Sequence, residues 1–407
     1  MKTTIGVFFG GKSTEHEVSV ITGLQAFAAI DRDKYDVVPI YITKENAFFT
    51  GENIGKIEEY ADIVKLLKKS TPVTLLNVTG RVGLYRVTSK KIELKKPCAF
   101  IDVALPAVHG TNVEDGTLQG YFETLGLAYA GCNILSSAVG MDKGVMKAVL
   151  NKAGVPVLDC LTFTAKRYID DKDGVTGDII EQIALPTIIK PVNLGSSIGI
   201  RIAKTKDDLI LAIENALLFA DVVLAEPAIV NLKEINCAVL GDKDAAEAGE
   251  CEEPLVGNAD GRNSEDGGIL NFDDKYKSGE KNGDNAKAGG MASLKRKIPA
   301  ELSELRREEI RTLAVKAFKA LGCGGVARID FLINLDTDEL WFNEINTIPG
   351  SFAFYLFEPV GIKYSDLLDK MVKLALKRER EKSNLNFSFE NNILSAFKGG
   401  LKNKGKG

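Results

Sequence analysis

The stretch from Gly322 to Gly350, GCGGVARIDFLINLDTDELWFNEINTIPG, sets the strictest condition on this chain, because it places charged and amide side chains inside two apolar runs. Period-2 alternation puts Arg328, Asp330 and Leu332 on one face of VARIDFLI and Ala327, Ile329, Phe331 and Ile333 on the other. In LWFNEIN the same alternation aligns Leu340, Phe342, Glu344 and Asn346, and NLDTDE supplies a turn. An antiparallel hairpin folded near Thr337 sets Asp330 opposite Glu344 and Arg328 opposite Asn346. Two carboxylates and an amide oxygen then converge beside a guanidinium. Oxygen donors of this kind suit Mg2+, which takes few protein ligands and completes its shell with water and phosphate. The simpler alternative is an ordinary hairpin with an ion-paired exposed face, and the remaining motifs decide between the two.

A chain of 407 residues, 45% hydrophobic and 27% charged, is long enough for two or three domains. With 52 basic and 56 acidic residues the net charge is −4, which gives no bulk attraction to nucleic acid or to an anionic membrane. Small or phosphorylated ligands must therefore be held by local sites. The cysteines Cys98, Cys132, Cys160, Cys237, Cys251 and Cys323 show neither CxxC nor metal spacing and read as reduced residues of a cytoplasmic protein. MKTTIGVFFGG runs directly into a strand-then-loop pattern, so no secretory leader is expected, and no apolar run is long enough to span a bilayer.

TIGVFF, the loop GGKSTEHE, a helix through VSVITGLQAFAAI and the strand DVVPIYIT open a parallel α/β layer. Gly6, Gly11, Lys12 and Ser13 match GxxxxGK[ST], but Val7, Phe8 and Phe9 still belong to the strand, which excludes a phosphate loop at Gly6. Gly10 and Gly11 are instead expected to let the backbone approach a ligand, with Glu15 near a helix N-terminus available for an ammonium group. Residues 44 to 97 read as a strand- and turn-rich elaboration of this layer. A second buried strand ends at His109-Gly110, with a helix beginning around Glu114-Asp115, and a loop in that place is where α/β sheets bind ligands. DKGVMKAVLNKAG reads as a helix, and LPTIIKP as a strand ending in Lys190 followed by the loop NLGSSIG. Its glycines expose backbone N–H groups, and the nearby ammonium completes a phosphate site. Glu226 and Glu234 lie on two further strands. Residues 241 to 299 are rich in Gly, Asp, Asn, Glu and Lys and read as a flap, with Phe272, Lys275 and Tyr276 at its base.

GGKSTEHEVS, HGTNVEDGTLQG, MDK, IIKPVNLGSSIG, DDKY, and ARID with NEINTIPG stand in one order along residues 3 to 375. In that order they resemble the D-alanine–D-alanine ligases of the ATP-grasp superfamily. The resemblance implies an α/β, more closely an α+β ATP-grasp, architecture in three parts: an N-terminal parallel α/β domain (1–142), a central ATP-grasp subdomain (143–234) and a C-terminal domain (235–376) carrying the flap 241–299. A basic, Gly-rich extension (377–407) would follow. ATP would phosphorylate the carboxylate of one D-alanine, and the amine of a second would attack the acyl phosphate. Carried over, Glu15 would bind the first ammonium group and form a triad with Ser196 and Tyr276, and His109 would orient that substrate. Lys143, Lys190 and Ser197 would hold phosphates, Lys275 the transferred phosphoryl group, and Glu226 and Glu234 the adenine and ribose. Asp330, Glu344 and Asn346 would ligate two Mg2+ ions, with Mn2+ as a substitute, and Arg328 with the Gly350 N–H would stabilise the tetrahedral oxyanion. A homodimer through the first domain is also implied. The chain departs from the family pattern in SFAFYLFEP, where Tyr355 stands near an expected serine, in GMASLKRKIPAEL, and in its longer C-terminus. The first two bear on the second substrate, so a ligase of the same chemistry with another amino or hydroxy acid as acceptor is the second reading.

Overall fold

The computed structural model describes residues 2–110, 112–195, 198–255 and 296–386, arranged on three sheets that follow one another along the chain. In the eight-stranded first sheet, Thr3–Gly10 pairs in parallel with Tyr35–Ile42 on one side and Val103–Pro106 on the other, and Ala128–Tyr129 adds a further parallel strand. Ile5, Val7, Phe8 and Phe9 are fully buried, because helices cover both faces of such a layer and leave no polar face to alternate with. Beyond Tyr35–Ile42 the order continues through Phe48–Thr50, Thr71–Val78, Arg81–Arg86 and Ala99–Phe100, all antiparallel. The 44–97 region thus extends the parallel layer.

Gly10 and Gly11 allow a close approach of the chain to itself. Gly10 has φ +95°, and a Cβ there would stand 2.2 Å from the Ile42 carbonyl oxygen; at Gly11 it would stand 2.7 Å from Val108 Cγ1. Gly10→Ala is therefore expected to lower unfolding free energy by about 2 kcal/mol or more. A denaturant midpoint unchanged from the parent would contradict that packing.

The second sheet orders Arg201–Ala203, Thr187–Pro191, Val222–Pro227 and Leu161–Thr164, all antiparallel. Helices Lys172–Gln182 and Lys206–Ala216 cover it, the latter started by a Thr205/Asp208 capping box. Its core, including Phe163, Ile179, Ile189, Ile213 and Val223, is a separate cluster from those of the other sheets.

The third sheet orders Arg296–Lys297, Ala246–Pro254, Leu232–Gly241, Gly325–Asn334 and Leu340–Asn346, again antiparallel. Residues 246–254 and 296–297, read from composition as flap, are therefore strands of this sheet. Helix Glu304–Ala320 packs against it through Ile310, Ala314, Ala317 and Phe318. The last helix among the described residues, Tyr364–Ser383, buries Leu367, Leu368, Met371, Val372 and Ala375, one stripe at helical spacing. That stripe joins a core holding both first-sheet residues and Leu240 and Val326 of the third sheet, which locks these two sheets together.

Candidate active site

The hairpin forms with the expected register: Arg328 lies opposite Asn346 and Asp330 opposite Glu344. The alternation beyond it does not hold. A bulge follows Asp330, where Phe331 pairs with Phe342 and Asn343 is the extra residue. Phe342 therefore packs on Phe331 in the core, with ring centroids 6.0 Å apart, instead of sharing a face with Glu344. Arg328 grips Asp330 with two bonds, Nε to Oδ1 and Nη2 to Oδ2, each 2.7 Å, and both side chains are buried. Burial alone would favour a neutral guanidine, but the Asp330 carboxylate holds Arg328 well above its ordinary pKa.

Against this hairpin stands the loop after strand Val103–Pro106. The strand ends earlier than His109, and helix Thr117–Leu125 starts later than Glu114, because the two carboxylates serve the loop backbone. Asp115 accepts from the N–H groups of Asn112 and Thr117; Glu114 accepts from Gly110 N–H at 2.7 Å and Ile348 N–H at 3.3 Å. His109 is buried with its Nε2 2.9 Å from Thr22 Oγ1, and burial lowers its pKa, which favours neutral imidazole. Glu15 sits just before helix His16–Ala29, and its Oε2 stands 3.2 Å from where a Cβ on Gly110 would be. Its charge acts on both His109 and Glu114.

Burial, helped by the neighbouring Glu15 charge, pushes the Glu114 carboxyl up to about 8 from an ordinary 4.5. The folded protein then keeps a proton that the unfolded chain has lost, so this contribution to stability is full below pH 4.5 and is lost as pH rises through about 8. Glu114→Gln is expected to flatten the fall of stability across that window, measured by urea unfolding without nucleotide or divalent ion. Parallel profiles for parent and variant would contradict the shift.

The same loop region meets a strained turn. Ser351, Phe352 and Ala353 have φ of 54°, 51° and 48°, a left-handed turn of non-glycine residues that begins at the buried Gly350. It is held from the first sheet's helix: Ser351 N–H donates to Thr22 Oγ1 at 3.0 Å and Ser351 Oγ to Gln25 Oε1 at 2.6 Å. Tyr355 is buried beyond this turn, with the Arg296 guanidinium 4.0 Å over its ring and Arg296 paired to Glu252 at 2.7 Å.

Helix Lys143–Lys152 begins beside the glycine loop, capped by Asp142, which accepts from Val145 N–H. Lys143 donates from Nζ to Leu194 O at 2.6 Å and lies 3.8 Å from Glu344 Oε2, so it ties the loop to the hairpin. Lys190 and Lys147 both pair with Glu226, the latter at 2.7 Å, and all three are buried. Glu234 lies on strand Leu232–Gly241 across from Leu332, half-buried. Ser196, Ser197, Lys275 and Tyr276 fall outside the described residues, as does most of the expected flap.

The structure thus brings together Glu15, His109, Arg328, Asp330, Glu344, Asn346 and Gly350, with Lys143 bridging to the second sheet. Sequence reading passed over Glu114, visible only as part of GxxxEDG, and Lys147, whose signal was its place one turn after Lys143 on the same helix face. Thr22 and Gln25 had no signal, since they read as the polar positions of an ordinary helix.

The donor set fits a hard divalent cation. Asp330 and Glu344 offer carboxylate oxygens and Asn346 an amide oxygen, and the carboxylate oxygens bound by Arg328 each keep a second lone pair. Asn346 Oδ1 accepts from Ile348 N–H at 3.1 Å, which leaves it one more acceptor position. Among the described residues no group of three or more His, Cys, Asp or Glu side chains gathers around a point. An ion here would draw its remaining ligands from water and phosphate.

Two family models match the chain, one described as D-ala D-ala ligase N-terminus over residues 4–132 and one as D-ala D-ala ligase C-terminus over residues 149–373. The D-alanine–D-alanine ligase of Thermosipho melanesiensis is 38% identical over 391 residues, covering 96% of this chain and 98% of the relative. The D-alanine–D-alanine ligase of Coxiella burnetii superposes with a TM-score of 0.74 at 29% identity, over 94% of this chain and 96% of that one. The VanG D-Ala:D-Ser ligase of Enterococcus faecalis gives 0.73 at 30% identity, over 92% and 100%. Fold, motif order and near full-length similarity agree: the chain belongs to the D-alanine–D-alanine ligase family and has the ATP-grasp fold.

Proposed function

We propose that the residues gathered on the hairpin and its facing loops carry out the family's reaction, the ATP-dependent ligation of two D-alanines to D-alanyl-D-alanine with release of ADP and phosphate. The dipeptide supplies peptidoglycan synthesis. The observation that carries this reading is the Arg328–Asp330–Glu344–Asn346 cluster, with Lys143 reaching Glu344 from the second sheet.

ATP lies between the second and third sheets, with Lys143 and Lys190 on its phosphates and Glu226 and Glu234 toward adenine and ribose. Asp330, Glu344 and Asn346 would hold two Mg2+ ions, which when bound would supply charge neutralisation at the transferred phosphoryl group. Glu15 and the neutral His109 orient the first D-alanine, whose carboxylate takes the γ-phosphoryl group. The neutral amine of the second D-alanine then attacks the carbonyl carbon of the acyl phosphate. Arg328, already buried and fixed by Asp330, and the Gly350 N–H face the oxyanion as it develops, where preorganised donors act most strongly. Phosphate leaves as the amide forms. The enzyme acts in the cytoplasm as a homodimer. All six cysteines are unbridged, including the cross-strand neighbours Cys237 and Cys251, which supports a reducing compartment. Among the described residues no helix is long and apolar enough to cross a membrane.

A screen of amino and hydroxy acid pairs for ATP-dependent phosphate release, with mass analysis of the products, tests the acceptor. D-alanine in both positions is expected to give the highest turnover. Preference for D-serine or D-lactate as acceptor would overturn the assignment of the second substrate.

A further inference from the structure

Lys147 is buried in the nucleotide cleft, yet neither the metal cluster nor the amino-acid site uses it. It follows Lys143 by one helical turn and projects from the same face of Lys143–Lys152. Its side chain is 3% exposed, and its Nζ lies 2.7 Å from Glu226 Oε2 and donates to Leu158 O at 3.3 Å. Glu226, only 1% exposed, holds Lys190 on its other oxygen. One buried carboxylate therefore carries two ammonium groups, one on each oxygen. Burial alone would raise the Glu226 pKa; Lys190 and Lys147 outweigh it and hold the carboxyl at about 2, so it stays ionised.

The two lysines differ in how they are held. Lys147 has a second anchor in the Leu158 carbonyl, whereas among the described residues Glu226 is the only partner of the Lys190 ammonium. For Lys190 to reach a nucleotide phosphate it must leave Glu226, and without Lys147 that would strip a buried carboxylate of its only counter-ion, which a dry site resists strongly. We propose that Lys147 is a positioning residue that stays on Glu226 as a fixed counter-ion and so releases Lys190 to the incoming polyphosphate. The inference rests on the reading of Lys190 as a phosphate ligand. Lys147 touches neither nucleotide nor amino acid; it sets how readily Lys190 changes partner.

The test is binding of a non-hydrolysable ATP analogue to the full-length protein by calorimetry, alongside steady-state kinetics. Lys147→Met is expected to weaken analogue binding and raise KM for ATP by about tenfold or more, because Glu226 then retains Lys190. Turnover at saturating ATP and KM for D-alanine should stay within about threefold, because the reacting atoms are untouched. Lys147→Arg keeps the charge and should bind like the parent. In a Glu226→Gln background no charge is left to retain Lys190, so adding Lys147→Met there should change analogue binding by less than about threefold relative to Glu226→Gln alone, whatever that variant itself loses. The double variant buries no bare carboxylate, so it is expected to fold even where the single variant does not. Unchanged affinity in Lys147→Met, or an equal loss from Lys147→Met in the Glu226→Gln background, overturns the proposal. Lys190→Met tests the underlying reading separately: if it binds the analogue as the parent does, Lys190 is not a phosphate ligand, whatever Lys147 does.

Discussion

Replacing Arg328 by Met is expected to slow ligation by about a thousandfold and to lower unfolding stability by about 3–5 kcal/mol, the range for breaking a buried ion pair from one side. Both losses come from one geometry. Asp330 is 2% exposed and both of its oxygens are taken by the guanidinium, so removing Arg328 leaves a bare carboxylate in the core. The same removal takes away the cation that the proposed mechanism sets against the developing oxyanion. The two effects separate experimentally. Adding Asp330→Asn to Arg328→Met should recover much of the stability, read from denaturant midpoints, while turnover stays lost. Arg328→Lys keeps a positive charge but loses the fork of two bonds, and should fall between parent and Met in both measures. Parent-like turnover in a folded Arg328→Met would remove the oxyanion role.

Glu344→Gln should abolish ligation, by about a thousandfold or more in turnover, while changing stability by no more than about 1 kcal/mol. The contrast with Arg328 follows from position. The Glu344 side chain is 32% exposed and its pairing with Lys143 is long at 3.8 Å, so the fold gains little from its charge. In the proposed mechanism catalysis would depend on it, because a carboxylate that ligates Mg2+ cannot be replaced by a neutral amide without losing charge at the transferring phosphoryl group. Phosphate release titrated with Mg2+ is the measurement. Near-normal turnover of the variant at saturating Mg2+ would contradict the metal assignment.

How much of this could be read from residues alone varied with the range of the interactions. Asp330 and Glu344 could be paired on paper because each is the same distance from Thr337, and a hairpin is a local object. The bulge at Asn343 has a trace that strict period-2 reading runs over, the adjacent polar pair Asn343-Glu344; it lets Phe342 and Ile345 both pack into the core. Strand Ala246–Pro254 was hidden by its charge. Glu252 and Glu253 are tolerated there because Arg296 and Lys233 pair with them, and those partners lie far along the chain or on a neighbouring strand. Gly10 and Gly11 announced a close approach correctly, but the partner, Ile42 or Val108, depended on which strands became neighbours. The Lys147–Glu226–Lys190 cluster joins a helix to two antiparallel strands, and only the assembled second sheet brings it together.

The central claim is that the Arg328–Glu344 cluster serves a carboxylate that is first phosphorylated and then transferred to an amine. The direct measurement uses D-alanine labelled with 18O in its carboxylate, with ATP and Mg2+, and follows the label into inorganic phosphate by mass spectrometry. The carboxylate oxygen that attacks the γ-phosphorus becomes the bridging atom of the acyl phosphate and departs with the phosphate when the amine attacks. One labelled oxygen in phosphate for each D-alanyl-D-alanine formed is the predicted result. Dipeptide accompanied by unlabelled phosphate would contradict the acyl-phosphate route, and phosphate release without dipeptide would contradict the ligase itself.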